Sequence, residues 1–257
     1  MNIVGIIPAR IQSSRLPGKA MKKIHKIPMV GHVYFRSKLS GLLNEVYVAT
    51  CDHKIKNYIK SIGGKVIMTS KSHERAVDRT EEALRKIEKS TKKKINLVVM
   101  IQGDEPLLDP RMIHQVVNVF KRNKEVKISN LYTQLKKINE VNDPNRVKVV
   151  LDNENNAIYF SREKIPAKKI KNKNIYFKQG NIFCFSKEAI NYFVSLKSSN
   201  LEKAESVDMN RLVENRYKVK MIKTNFNTIN VDNYSDLKKA IKSMKTDRYF
   251  KLYKNKK

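Results

Sequence analysis

The sequence predicts an α/β protein built on a doubly wound, mostly parallel sheet. Three observations carry that expectation. Short apolar runs alternate four times with stretches of helical periodicity in the first half of the chain. One run, 96–101 (Asn-Leu-Val-Val-Met-Ile), is apolar nearly throughout and bounded by polar residues, as a central parallel strand should be. Two loops that follow predicted strands, 8–19 and 102–106, combine charge with Gly and Pro, and an open parallel sheet binds its ligand at the carboxyl ends of its strands.

Taken in order, Ile-Val-Gly-Ile-Ile at 3–7 reads as a buried first strand. The loop Ile7-Pro8-Ala9-Arg10-Ile11-Gln12-Ser13-Ser14-Arg15-Leu16-Pro17-Gly18-Lys19 offers backbone N–H groups and fixed positive charge, which suits a polyphosphate. Its glycines fit neither a P-loop nor a dinucleotide fingerprint, and charge alone leaves an ordinary basic surface loop equally open. An amphipathic helix is expected over 28–43, strands at 46–50 and 66–68, and helices at 54–61 and 78–89, with Gly63-Gly64 ending the former. Beyond the 96–101 strand come a helix at 112–122 behind Asp109-Pro110 and strands at 126–132, 147–151, 158–160, 182–185 and 218–223. The stretch 164–174 reads as a polar loop. Helices at 201–215 and 235–242 complete the pattern, and a basic tail from 246 to 257 is expected to fray.

At 257 residues the chain has the length of one large domain, here 1–245, with a lobe near 130–190. Two cysteines, Cys51 and Cys184, cannot build a disulfide framework, and the five histidines lack metal-ligand spacing, so a zinc site is not expected. No apolar run nears a membrane span and no signal-peptide pattern opens the chain, so a cytoplasmic setting is the expectation. The net charge of +30 admits nucleic-acid binding through a phosphate footprint. It admits equally a lysine bias laid over an ordinary enzyme. Only 13 of the 54 basic residues are arginine, and the lysines spread along the whole length, which favours the second reading and leaves dedicated nucleic-acid binding as the alternative from another class.

Gln102-Gly103-Asp104-Glu105-Pro106 places an aspartate at the end of the central strand. Hard divalent cations need such carboxylate oxygens, and Mg²⁺ usually takes only one or two from a protein. Helix capping is the competing role, but Asp109 fills it better. A second acid is offered by Ile229-Asn230-Val231-Asp232, unless Asp232 or Ser235 caps the last helix.

These motifs together resemble the sugar-acid cytidylyltransferases, specifically the 3-deoxy-D-manno-octulosonate (Kdo) cytidylyltransferase family. Pro-Ala-Arg followed by Ser-x-Arg-Leu-Pro-Gly-Lys stands between Pro8 and Lys19. Gln-Gly-Asp-Glu-Pro stands at 102–106, and 229–237 resembles the family's Val-Asp-Thr-Pro-Glu-Asp-Leu with Asn233-Tyr234 in place of Thr-Pro. Asn-Pro-Asn-x-Val-Lys-Val-Val and Ala-Leu-Tyr-Phe-Ser-Arg are matched over 142–150 and 157–162. His73, Asp78 and Arg79 match a further motif in which Ser-Gly-Thr has become Arg75-Ala76-Val77.

The resemblance implies a nucleotidyltransferase sheet of Rossmann-like kind with a smaller mixed-sheet lobe for substrate and dimer contact. It implies CTP and an acidic sugar as substrates, Mg²⁺ as cofactor, and a homodimer. Pro8, Ala9, Arg10, Ser14, Arg15, Lys19, Arg79 and Gln102 fall at its nucleotide-binding positions. Arg10, Lys19, Asp104 and Asp232 fall at its catalytic positions, with Asp104 and Asp232 as the metal ligands. Arg162, Gln179, Glu205 and Asp208 fall on the sugar side, Arg162 because its fork suits a carboxylate.

Departures from the family cluster on that sugar side. Gln179 stands for a histidine, Asn181 for a glycine, and Asp208-Met209 for a Glu-Gln pair. Plain Kdo is therefore expected not to be the best acceptor; the alternatives are an aminated Kdo, a nonulosonate-like sugar or a phosphonate.

Overall fold

The computed structural model describes residues 1–167, 175–226 and 228–256. They form two compact units, one of Met1–His114 with Asn227–Lys257 and one of Gln115–Phe226.

In the first unit the expected alternation is present. Strands β1 (Ile3–Pro8), β4 (Glu45–Thr50), β5 (Lys65–Met68) and β6 (Leu97–Ile101) lie parallel in the order β6–β1–β4–β5. β1 and β6 are buried along their full length, which explains their near-continuous apolar sequences. The chain adds β4 and β5 on one side of β1 and then returns to add β6 on the other. That reversal opens a crevice at the carboxyl ends of β1 and β6, the usual ligand position of such sheets.

Between them, β2 (Lys23–Ile24) and β3 (Ile27–Pro28) make a two-residue-per-strand hairpin that periodicity could not signal. The helix expected over 28–43 is shorter, Met29–Lys38, because the chain turns through Gly41 at φ 65°. Helices Ala76–Thr91 and Tyr234–Met244 run slightly longer than expected.

A buried apolar cluster of Leu16, Ile24, Met29, Val231, Leu237, Ala240 and Met244 lies in this unit, with Leu107, Ile229 and Phe250 packed against it. It joins the 8–19 loop, the hairpin, the 102–109 segment and the last helix in one core. The basic tail does not fray as expected. Phe250–Leu252 forms a turn of 3-10 helix, and Tyr253 is buried, 3% exposed, against His32 and Phe35. Two aromatic side chains outweigh the surrounding lysines because each buries a large apolar face.

The second unit holds the expected mixed sheet. Its strands are β7 (Ile128–Gln134), β8 (Lys148–Leu151), β9 (Ala157–Ser161), β10 (Phe177–Ser186) and β11 (Lys220–Lys223), in the order β11–β7–β10–β8–β9. Among the described residues of this unit β11 and β7 pair in parallel and the other pairs are antiparallel; β10 carries a bulge between Gln179 and Phe183.

The single helix expected at 201–215 is two, Asn200–Glu205 and Asn210–Glu214. Ser199 and Glu202 close a capping box at the start, and Ser206 at φ 50° ends the first helix in a left-handed cap. The part of the expected polar loop at 168–174 lies outside the described residues. Among the described residues no helix is long and apolar enough to cross a membrane.

Candidate active site

The 8–19 loop leaves β1 with its course fixed at three points. Ala9 N donates to Ala49 O at 2.9 Å, Ile11 N donates to Asp52 Oδ2 at 2.8 Å, and Leu16 is fully buried in the apolar cluster. Gly18, at φ 69°, then turns the chain into the 3-10 segment Lys19–Met21; an L side chain in that left-handed region costs roughly 1–2 kcal/mol. On the neighbouring strand end, a Cβ at Gly103 would stand 3.2 Å from Pro8 O. The missing side chain lets the 102–106 segment come close beside the first loop.

This approach brings four charged groups together. Lys19 Nζ lies 2.8 Å from Asp104 Oδ2 and 3.3 Å from Asp232 Oδ1, and Arg15 Nη2 lies 2.8 Å from Asp232 Oδ1. The two acid-bearing segments are also tied directly, Val231 N donating to Asp104 O at 3.0 Å. Asn230 Nδ2 donates to Asp232 Oδ2 at 2.5 Å, which turns the other oxygen toward the cations. Neither Asp232 nor Ser235 caps the last helix: the Asn233 side chain does, accepting from Asp236 N, so Asp232 is left to the cluster. Burial pulls the Lys19 pKa down, but the adjacent Asp104 and Asp232 charges outweigh it and the net shift is upward. Lys19 is therefore a fixed cation throughout the neutral range.

Asp104 Oδ1 is buried and, among the described residues, has no hydrogen-bond partner. An orphaned carboxylate oxygen beside a second carboxylate, with an ammonium between them, is a donor set that fits a hard divalent cation. Among the described residues no group of three or more His, Cys, Asp or Glu side chains could hold an ion. Mg²⁺ does not require such a cage, since it keeps several waters and takes substrate phosphates.

Beside this cluster opens a cleft of about 290 Å³. Of the residues expected at a nucleotide, Pro8, Ala9, Arg10, Ser14, Arg15, Lys19, Arg79 and Gln102 all line it, together with Asp104. Asp232 reaches it through Lys19 and Arg15. Its Lys and Arg side chains number five (Arg10, Arg15, Lys19, Arg75, Arg79) against Glu74 and Asp104, a balance suited to a polyanion.

The structure revises Arg79. Although it lines the cleft, it is only 3% exposed and its guanidinium donates to Thr69 Oγ1, Ser70 O and His73 O. These bonds hold the 69–73 segment. The same segment is held from below by Glu82, which takes Ser70 N at 2.8 Å and His73 Nε2 at 2.5 Å. Burial raises the Glu82 pKa, but Lys86, Ser70 N and His73 together outweigh it and hold it at about 2.

Three residues with roles here were not singled out from the sequence: Asp52, which anchors Ile11; Asn230, which orients Asp232; and Glu82. Asp52 lies 41 positions from its partner, and no local pattern could have linked them.

In the second unit the expected sugar-side residues are arranged differently. Arg162 Nε, Nη1 and Nη2 donate to the carbonyls of Glu205, Pro144 and Ser206 at 2.8, 3.0 and 3.3 Å. Glu205 accepts from Tyr159 Oη, Ser161 Oγ and Arg162 N, each at 2.7 Å. Burial raises the Glu205 pKa, but these donors outweigh it and the net shift is downward. In this structure Arg162 and Glu205 tie the end of β9 to the helix Asn200–Glu205 and to Pro144, because a carboxylate beside three donors and a fork beside three carbonyls are each satisfied within the chain.

Gln179 keeps the character of a site residue. It is 8% exposed, and its buried Nε2 has no partner among the described residues. Asp208 sits in the turn between the two short helices, its carbonyl accepting from Arg211 N at 3.2 Å.

Comparison with known proteins agrees with the geometry of the first unit. The family profile "Cytidylyltransferase" matches residues 4–223. An 8-amino-3,8-dideoxy-manno-octulosonate cytidylyltransferase of Shewanella pealeana is 38% identical over 93% of this chain and 96% of its own length. A 3-deoxy-manno-octulosonate cytidylyltransferase of Fusobacterium nucleatum is 39% identical over 95% of this chain and 98% of its own. Among solved structures, a CMP:2-keto-3-deoxy-manno-octonic acid synthetase complexed with CTP superposes with a TM-score of 0.86 at 31% identity, covering 95% of this chain and 99% of that one. A glucose-1-phosphate thymidylyltransferase of Bacillus anthracis, at TM-score 0.67 and 18% identity, shares the fold.

Proposed function

This chain belongs to the cytidylyltransferase family and is a nucleotidyltransferase, and from that premise we propose that it transfers CMP from CTP to a 2-keto-3-deoxy sugar acid, with Mg²⁺ as cofactor and pyrophosphate as the second product. The observation that carries the reading is the meeting of Lys19 with Asp104 and Asp232 beside a cationic cleft at the ends of β1 and β6.

In this reading the sugar's hydroxyl oxygen forms a bond to the α-phosphorus and the bond from that phosphorus to the pyrophosphate oxygen breaks. The hydroxyl proton is lost to solvent. Arg10, Arg15 and Lys19 hold the triphosphate and stabilise the negative charge that gathers on the departing pyrophosphate. Pro8, Ala9, Ser14 and Gln102 shape the nucleotide's seat. Arg79 acts on it indirectly by fixing the 69–73 segment. Asp104 and Asp232 would hold the Mg²⁺ ion, which when bound neutralises phosphate charge and sharpens the attacking hydroxyl. Among the described residues, His73 is the one histidine or cysteine that lines the cleft, and it is paired to Glu82. Positioning and charge are then the means of catalysis.

On the sugar side Gln179 offers the donor Nε2 to a sugar oxygen, and Asp208 falls at a sugar-side position of the family pattern. Relatives of this chain carry names for both plain and 8-amino-3,8-dideoxy acids. With a glutamine at 179 and Asp208-Met209 in place of Glu-Gln, plain Kdo is not the acceptor with the highest kcat/KM.

The test is pyrophosphate release from CTP, UTP, ATP and GTP with Kdo, its 8-amino analogue and other 3-deoxy-2-keto acids. CTP should be preferred clearly over UTP. Equal turnover of both nucleotides counts against the reading, and a highest kcat/KM for Kdo sinks the assignment of the sugar.

A further inference from the structure

The C-terminal segment carries a group whose position in the fold exceeds what packing requires. Tyr253 is buried with its ring stacked on Phe35, and its hydroxyl lies 3.0 Å from Arg36 Nε and 3.0 Å from His32 Nδ1. His32 Nε2 lies 2.8 Å from Ile24 O. A carbonyl only accepts, so Nε2 carries the hydrogen and Nδ1, bare in the neutral ring, accepts a hydrogen bond from the phenol. Burial, partly offset by its backbone hydrogen bonds, brings the His32 pKa to about 4, so the ring is neutral near pH 7. The phenol oxygen is then filled on both counts, donating to His32 and accepting from Arg36.

Each arm leads to a different site loop. Ile24 belongs to the hairpin into which the Lys19–Met21 turn runs, Lys22 N donating to Lys19 O and Met29 N to Lys22 O. Arg36 Nη1 donates to Leu108 O at 2.9 Å, and Leu108 N closes the turn onto Glu105 O next to Asp104. Asp247, from the same C-terminal segment, pairs with Arg36 Nη2 and holds the guanidinium in place.

We propose that Tyr253 is a positioning residue for the reaction, fixing the Lys19 turn through His32 and the Asp104 loop through Arg36; its catalytic part rests on the function assigned above. Removing the hydroxyl leaves His32 Nδ1 and Arg36 Nε buried without that partner, and the backbone near both loops gains freedom. A tail that merely covers apolar surface predicts instead a uniform loss of stability.

The experiment is Tyr253→Phe compared with the parent by hydrogen–deuterium exchange without substrate, and by steady-state kinetics well below the melting temperature. Exchange should quicken by at least ~3-fold at 16–28 and 103–109 while the β4 and β5 segments stay as in the parent. With CTP, kcat should fall about tenfold at nearly constant KM, the mark of disturbed reacting geometry. An even rise in exchange across the unit, or kcat within about twofold of the parent, overturns the proposal. If the variant does not fold, Asp247→Asn, which keeps the side-chain shape and removes the negative charge that faces Arg36, is read by the same two criteria. If the parent itself proves inactive with CTP, the assigned reaction has failed, and the exchange pattern alone decides whether Tyr253 fixes the two loops.

Discussion

The sequence marks Lys19 and Arg162 alike as cations for an anionic substrate, but the fold uses them differently. Lys19 stands in a cleft, flanked by two carboxylates of separate segments. Arg162 donates to three carbonyls and lies against Glu205, whose own oxygens are filled by Tyr159, Ser161 and the Arg162 amide. Polar satisfaction separates the two cases. Asp104 keeps a buried oxygen with no partner among the described residues, while each oxygen of Glu205 has one. A motif match places a residue near a function, and the hydrogen-bond ledger then shows whether it faces a ligand or another part of the chain.

The comparison breaks first at the carboxylates. Asp104→Asn and Asp232→Asn should each lower kcat by at least ~10²-fold, a loss of about 2.7 kcal/mol of transition-state stabilisation, with circular dichroism and melting close to the parent's. Turnover within a few-fold of the parent at saturating Mg²⁺ would show that the residue does not serve the reaction.

Glu205→Gln is the mirror experiment. It keeps shape but loses charge on a group with three short donors, so stability should drop by about 2 kcal/mol in urea melts, while KM for CTP stays put. A rise in the sugar acid's KM with no loss of stability would restore Glu205 to the sugar.

Arg79→Lys sharpens the contrast within the first unit. One ammonium cannot reproduce bonds to Thr69, Ser70 and His73, so KM for CTP should rise several-fold, about 1 kcal/mol, with little change in kcat. A much larger fall in kcat would mean that Arg79 meets the reacting phosphates.

The smallest effect concerns acid. Glu82 has its pKa lowered to about 2 from 4.5, so its support of the 69–73 segment is fully present above pH 4.5 and is lost as pH falls toward 2. Melting temperature should show no contribution from Glu82 titration between pH 6 and 8, and Glu82→Gln should remove part of the acid-side slope. An unchanged slope assigns it to other carboxylates.

What could be read in advance follows the same division. The parallel sheet was legible because β1, β4 and β6 are local apolar runs, and the cleft because most of its lining residues sit in two short continuous motifs, 8–19 and 102–104. The break at Ser206 was not: nothing in Glu-Ser-Val-Asp announces a left-handed serine, and the helix ends there because its cap is completed by Glu202 O. The docked tail escaped because Tyr249, Phe250 and Tyr253 stand among basic residues with no periodic pattern, and the partners of Tyr253, His32 and Arg36, lie more than 200 positions away. Asn230 and Asp52 are ordinary loop residues until the fold puts a carboxylate or an amide within reach.

Lys19 has one more consequence, for the order in which ligands arrive. With its ammonium between Asp104 and Asp232, the protein carries its own counter-ion, and the two acids are not left to repel each other when nothing is bound. If Asp104 and Asp232 hold Mg²⁺ as proposed, a divalent ion alone would have to displace that ammonium into a cleft already rich in positive charge. A triphosphate gives the displaced lysine a new partner. Metal and nucleotide affinities are then linked, and by reciprocity each strengthens the other by the same factor. Chelators should leave the melting temperature of the free protein where it was, and calorimetry should find Mg²⁺ weak by itself and tight only in company with the nucleotide.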